Sequence, residues 1–286
     1  MKNVMKGIFA GTIALGLSTF CFAQEADTRG YNPNSVRPIH ESDIMFKKTV
    51  WTNVDLNEKQ NRPFMAVNNE ITRFVINAVK AGLLTPYATD SLTSKLTVEE
   101  FVKNISAAGT QMTPEDMRFE EQRIKEDDFL TPEEKKQRIA ALKNGGGGNE
   151  YPASYFTQME LKEDFIFDKQ RSRAYWDTQA ITFWLPAEKN GDLGIQKRMA
   201  AFKFKDLYKL FKSSPNAVYF NSQNNQEHKN LADAFELRLF SGRIIKVSNP
   251  DDKDLTEIYD GGKKGLLASE WMKQQLMEYE HNLWEF

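Results

Sequence analysis

Ala180-Ile181-Thr182-Phe183-Trp184-Leu185, ended by Pro186, is a run of β-branched and aromatic residues. Such a run predicts a strand. Upstream, Met159 and Leu161, then Phe165 and Phe167, alternate with polar residues at the strand period of two. Downstream, Phe204, Leu207, Tyr208 and Phe211 predict a helix, Ala217 to Phe220 a short strand, and Leu237 to Val247 a hairpin turning at Ser241-Gly242. From Lys263 the chain predicts a long helix, with Met272, Leu276, Tyr279 and Leu283 along one stripe. Strands and helices alternate only loosely, so the expected class is α+β rather than a doubly wound parallel sheet.

Toward the N-terminus the pattern changes to helical. Ile44, Phe46, Val50, Trp51 and Val54 fall within less than half of a helical wheel behind Asp43 as a candidate N-cap. Ile71, Phe74, Val75, Ala78 and Val79 repeat at helical spacing before Gly82, and Thr97-x-x-Glu100 is a capping box ahead of Val98, Phe101, Val102 and Ile105. Thr113-Pro114-Glu115 and Thr131-Pro132-Glu133 each place proline at the first helical position, in a charged stretch with few apolar residues. Helices from Pro114 to Leu142 would therefore be solvated or held by a partner. Gly145 to Gly148 predicts a linker, since no Gly-Lys-Ser/Thr follows to make a phosphate loop. The expected organisation is residues 1–23 as a signal peptide, 24–39 as an extended arm, 40–112 as a helical region, 113–150 as charged helices with the linker, and 151–286 as a mixed strand and helix domain.

Met1 to Lys6 carries two lysines and no acid, Gly7 to Phe20 is mostly apolar, and Cys21-Phe22-Ala23 offers a small-x-small cleavage site. This is the pattern of an export signal cut near Ala23. Cleavage there removes Cys21, the single cysteine of the 286 residues. The exported remainder would have no thiol for a disulfide, a nucleophile or a cysteine metal site. Lys and Arg total 38 against 40 Asp and Glu, a near-neutral balance that argues against nucleic acid as a partner.

Chemistry-bearing motifs are sparse. His40, His228 and His281 lie far apart and outside any zinc-binding frame, and no G-x-S-x-G elbow, EF-hand or dinucleotide fingerprint occurs. No cofactor is expected. Glu163, Asp164 and Asp168 could serve an exported carboxylate-dependent hydrolase if two of them met in a cleft; a solvated charged rim is the plainer expectation. A ligand-binding protein would need an enclosed apolar pocket, to which nothing in the sequence points. Aromatics are the class in surplus, with 20 Phe, 9 Tyr and 5 Trp, four of the tryptophans being Trp176, Trp184, Trp271 and Trp284. Trp284, beside the chain end, suits packing on a second chain. These features favour a non-catalytic interaction protein over an enzyme.

Four stretches carry a family resemblance: Arg37-Pro38-Ile39; the block from Val50-Trp51 through Val54-Asp55-Leu56 and Glu58-Lys59 to Asn61 and Pro63; Glu163 to Ser172; and the ending Glu280 to Phe286. Together they resemble the GldN/PorN proteins. The resemblance implies a non-enzymatic periplasmic scaffold of the type IX secretion and gliding-motility machinery of Bacteroidetes. It implies three kinds of contact: a GldK/PorK-like outer-membrane lipoprotein, a GldM/PorM-like periplasmic motor shaft, and further copies of the chain in a ring. Candidate contact or motif residues are Trp51, Asp55, Leu56, Phe167, Asp168, Trp284 and Phe286, with Trp51 and Asp55 expected as a structural staple between helix and arm. The chain departs from the family pattern at Trp176-Asp177-Thr178-Gln179.

Overall fold

The computed structural model describes residues 30–106, 150–190, 194–224 and 226–283. Strand β1 (Ile44–Asp55) leads, followed by the two-residue strands β2 (Met65–Ala66) and β3 (Asn69–Glu70), which pair with each other, and by helices α1 (Ile71–Lys80) and α2 (Val98–Ile105). After residue 150 come β4 (Gln158–Asp168), β5 (Arg173–Leu185), β6 (Lys197–Lys203) and helix α3 (Phe204–Ser213). The short paired strands β7 (Val218–Tyr219) and β8 (Lys229–Asn230) precede α4 (Leu231–Glu236), β9 (Arg243–Val247), α5 (Leu255–Ile258) and α6 (Gly262–Asn282). The five longer strands make one antiparallel sheet in the order β6-β5-β4-β1-β9, so the α+β class holds, with the long C-terminal helix in place.

Two local expectations are corrected. Ile44 to Val54 is a strand, not a helix, and Asp43 caps nothing: its carboxylate accepts from the Gln170 side chain and its carbonyl from the Lys169 N–H, fastening the start of β1 to the β4–β5 turn. Phe46, Val50 and Val54 are four apart, a spacing that both periods allow; the β-branched and aromatic Thr49-Val50-Trp51-Thr52 prefers a pleated surface, and partners on both sides complete the ladder. The stretch Leu237 to Val247 is likewise not a hairpin. Only Arg243 to Val247 is extended, and it pairs with β1 rather than with Leu237 to Phe240.

The helix signals were stronger. Gly82 has φ +71°, and its N–H and that of Leu83 bond to the carbonyls of Val79 and Ala78, closing α1 with a Schellman motif. Thr97 and Glu100 form the reciprocal capping box at the start of α2.

One face of the sheet carries the apolar core. Val54, Met159, Leu161, Ile181, Phe183 and Phe202 pack with residues of α1 to α4 in one cluster. Val50, Phe165, Ile244 and Val247 pack with Leu255 of α5 and Met272 and Leu276 of α6 in a second. Residues 44–105 and 151–240 contribute to the first cluster together, so the two sequence regions fold as interleaved parts of one body. At roughly 1.5–3 kcal/mol per fully buried large apolar side chain, such clusters are the main source of stability. The export signal, the helices from Pro114 to Leu142, the Gly145 to Gly148 run, Trp284 and Phe286 lie outside the described residues.

Candidate functional site

The block that begins at Trp51 is a set of internal fastenings. Trp51 is 9% exposed on the polar face of the sheet; its indole N–H donates to Asp90 at 2.9 Å, and the ammonium groups of Lys246 and Lys162 lie 4.8 and 5.2 Å from its ring. Burial pushes the Asp90 carboxyl up, but the Trp51 hydrogen bond and the nearby Lys162 charge outweigh it, and the group sits below the ordinary carboxylate range. Trp51 thus staples the loop around Asp90 onto the sheet, where a staple from helix to arm was expected. Asp55 accepts from the Asn57 N–H at the end of β1, and Leu56 is buried and donates its N–H to the Thr157 carbonyl. Asn61, also buried, joins the Asp55 carbonyl to the backbone of Ser241, tying the exit of β1 to the approach of β9.

The carboxylates of β4 are equally committed. Glu163 is fully buried and receives Arg238 through two bonds of 2.6 and 3.1 Å, with Thr178 and Thr52 donating as well. The Arg238 guanidinium lies 4.4 Å from the Trp176 ring and 5.0 Å from that of Phe240. Asp164 accepts from Thr49 at 2.7 Å and pairs with Lys47 at 2.9 Å. Asp168 is buried, which raises its pKa, but the Arg171 side chain and the N–H groups of Gln170 and Arg171 hold it below the usual range. Neighbouring Phe167 is 2% exposed. Of Glu163, Asp164 and Asp168, each belongs to a different ion pair of the frame, with Arg238, Lys47 and Arg171 respectively. Among the described residues no three of His, Cys, Asp and Glu stand close enough to hold a metal ion, and no helix is long and apolar enough to cross a membrane.

Two features went unforeseen. The first is a groove of about 550 Å³ between the arm at Val36 to Ile39, strand β5 at Trp176 and Asp177, and helices α3 and α4 at Tyr208 and Glu236. Arg37 pairs with Glu236 at 3.0 Å, and the Tyr208 hydroxyl donates to the same carboxylate. Asp177, which faces Asp164 across the β4–β5 ladder, is pushed up to about 6 by burial and by that neighbouring charge, against a hydrogen bond from the Gln179 amide at 2.7 Å. The arginines of this groove are each engaged by a carboxylate of the fold, so it offers shape and one titratable wall rather than an unpaired charge. The second feature is apolar surface. Leu266, Leu267, Trp271 and Met277 on α6 are 45–63% exposed, and Ile258 and Tyr259 just before it are 45% and 39% exposed. The sequence marked the inward stripe of this helix and left its outward apolar residues unread, because a helix apolar on two sides hides which side is core.

A family model described as gliding motility associated protein GldN matches residues 39–285, from the end of the arm almost to the last residue. No curated protein matches the chain. The match spans the Trp51 and Glu163 blocks, whose side chains act as fasteners of the frame.

Proposed function

The chain belongs to the GldN family of gliding-motility-associated proteins, and from that footing we propose that it is a non-catalytic scaffold subunit of the type IX secretion and gliding machinery. In this reading it is exported, resides in the periplasm, and is held near the outer membrane by a GldK/PorK-like lipoprotein. Copies of the pair close into a ring that also meets a GldM/PorM-like motor shaft.

The observation that supports this reading best is the contrast between the inside and the outside of the molecule. Inside, carboxylates, arginines and tryptophans are consumed by one another; outside, a tryptophan and three long aliphatic side chains stand in water on one helix. Aromatic anchors of this kind dominate binding energy at protein interfaces. Co-expression with the lipoprotein should yield a stable complex far larger than a one-to-one pair. A chain that stays monomeric and ignores the lipoprotein at micromolar concentration would overturn the reading.

A further inference from the structure

The outward face of α6 carries Lys264, Leu267, Trp271, Gln274, Glu278 and His281, successively three, four, three, four and three residues apart. That is the spacing with which one helix presents a continuous seam to another. It is distinct from the inward stripe of Gly265, Ala268, Met272 and Leu276. Leu267 and Trp271 on the seam are 63% and 52% exposed, and a helix with apolar residues on a second face is one that assembly covers.

The order of residues along the seam chooses the occupant. Lys264 stands seven residues before Trp271 and Glu278 seven after it; Leu267 and Gln274 stand four before and three after. When a second copy of α6 is brought up antiparallel with Trp271 opposite Trp271, Lys264 meets Glu278 at both ends, and Leu267, four residues before the axis, lies over the turn that carries Gln274 and Gln275. A parallel copy would set lysine against lysine and glutamate against glutamate, which costs binding energy. The seam is thus self-complementary under a two-fold axis, the condition for an isologous contact. Within each copy Gln274 already donates to Glu278 at 3.0 Å, which orients the carboxylate.

We propose that α6 is a self-docking element, on which a second copy of this chain packs antiparallel about a two-fold axis at Trp271. One helix pair anchored by two tryptophans, each contributing about 150–250 Å², falls short of the roughly 1,200 Å² of a standard stable interface. The contact is accordingly weak in isolation and strengthens when copies are already held close in an assembly. It deepens the scaffold reading by assigning one of its self-contacts, but it does not involve the lipoprotein.

Sedimentation equilibrium of the exported chain tests it. A reversible monomer–dimer equilibrium is expected below about 1 mM. Lys264→Glu should weaken it by about tenfold, because two like-charged contacts appear per dimer. Lys264→Glu combined with Glu278→Lys should restore it. Trp271→Cys, then the single cysteine of the exported chain, should oxidise to a disulfide-linked dimer, since a residue on the axis meets itself. These side chains are exposed, so circular dichroism should be unchanged in all of them. A monomer at every concentration, or a dimer indifferent to the single charge reversal, would overturn the proposal. A monomeric wild type that still enters the large lipoprotein complex would remove this contact alone and leave the scaffold reading standing.

Discussion

Glu163 sits at the middle of the sheet with no solvent exposure, between the two apolar clusters, and its charge is balanced by Arg238. The Arg238 side chain keeps 32% exposure, so Glu163→Gln, which leaves that guanidinium without its counter-charge, should lower stability by about 2–3 kcal/mol in urea unfolding, less than for a fully buried pair. Replacing both, as Glu163→Leu with Arg238→Met, should cost less than the sum of the single changes, a coupling that a double-mutant cycle measures. Asp177 works in the opposite sense. Its folded-state pKa, about 6, lies above its ordinary 3.8, so the native chain binds the proton more tightly than the unfolded one. The contribution is present in full below the ordinary value and is lost as pH rises through the folded one. Asp177→Asn should therefore stabilise the protein by about 2 kcal/mol at pH 7.5, the gain shrinking toward zero near pH 4, as read from unfolding midpoints against pH. Neither role was legible in the sequence: Glu163 read as a member of a charged rim and Asp177 only as part of a departure from the family pattern, until the ladder put both under cover.

At the scale of elements, what could be read depended on whether the signal was local. Gly82 and the Thr97 to Glu100 box act within a few residues of themselves, and both helix ends fall where those residues place them. Thr97→Ala should cost about 1 kcal/mol, checked by thermal unfolding. Strand β1 failed the same test because its identity depends on neighbours: Val50 lies between Glu163 and Val247, more than a hundred residues away. The C-terminal helix was half legible. Its inward Met272 and Leu276 gave a stripe, but the small residue that lets it dock did not stand out: a Cβ on Gly265 would come within 2.7 Å of the Thr256 side chain and 2.9 Å of its Cα. Gly265→Val should separate α6 from α5, costing about 1–3 kcal/mol and speeding amide exchange along α6 while leaving α1 and α2 protected.

For the molecule as a whole, composition pointed to adhesion rather than catalysis, and the family match places the chain among gliding-motility-associated proteins. The aromatic surplus led to an expectation of interfaces, without a location for them. Trp51, Trp176 and Trp184 turn out to serve the frame, each lying against a cationic side chain, whereas Trp271 faces water. The Trp51 and Glu163 blocks fasten the sheet, and the exposed apolar side chains of α6 lie apart from them. Particle mass of the purified chain, alone and after co-expression with the lipoprotein, tests the central claim most directly. Alone, the chain should be a monomer or weak dimer; with the lipoprotein it should migrate as one closed assembly of many copies. A mixture that shows only the two separate masses would contradict the account.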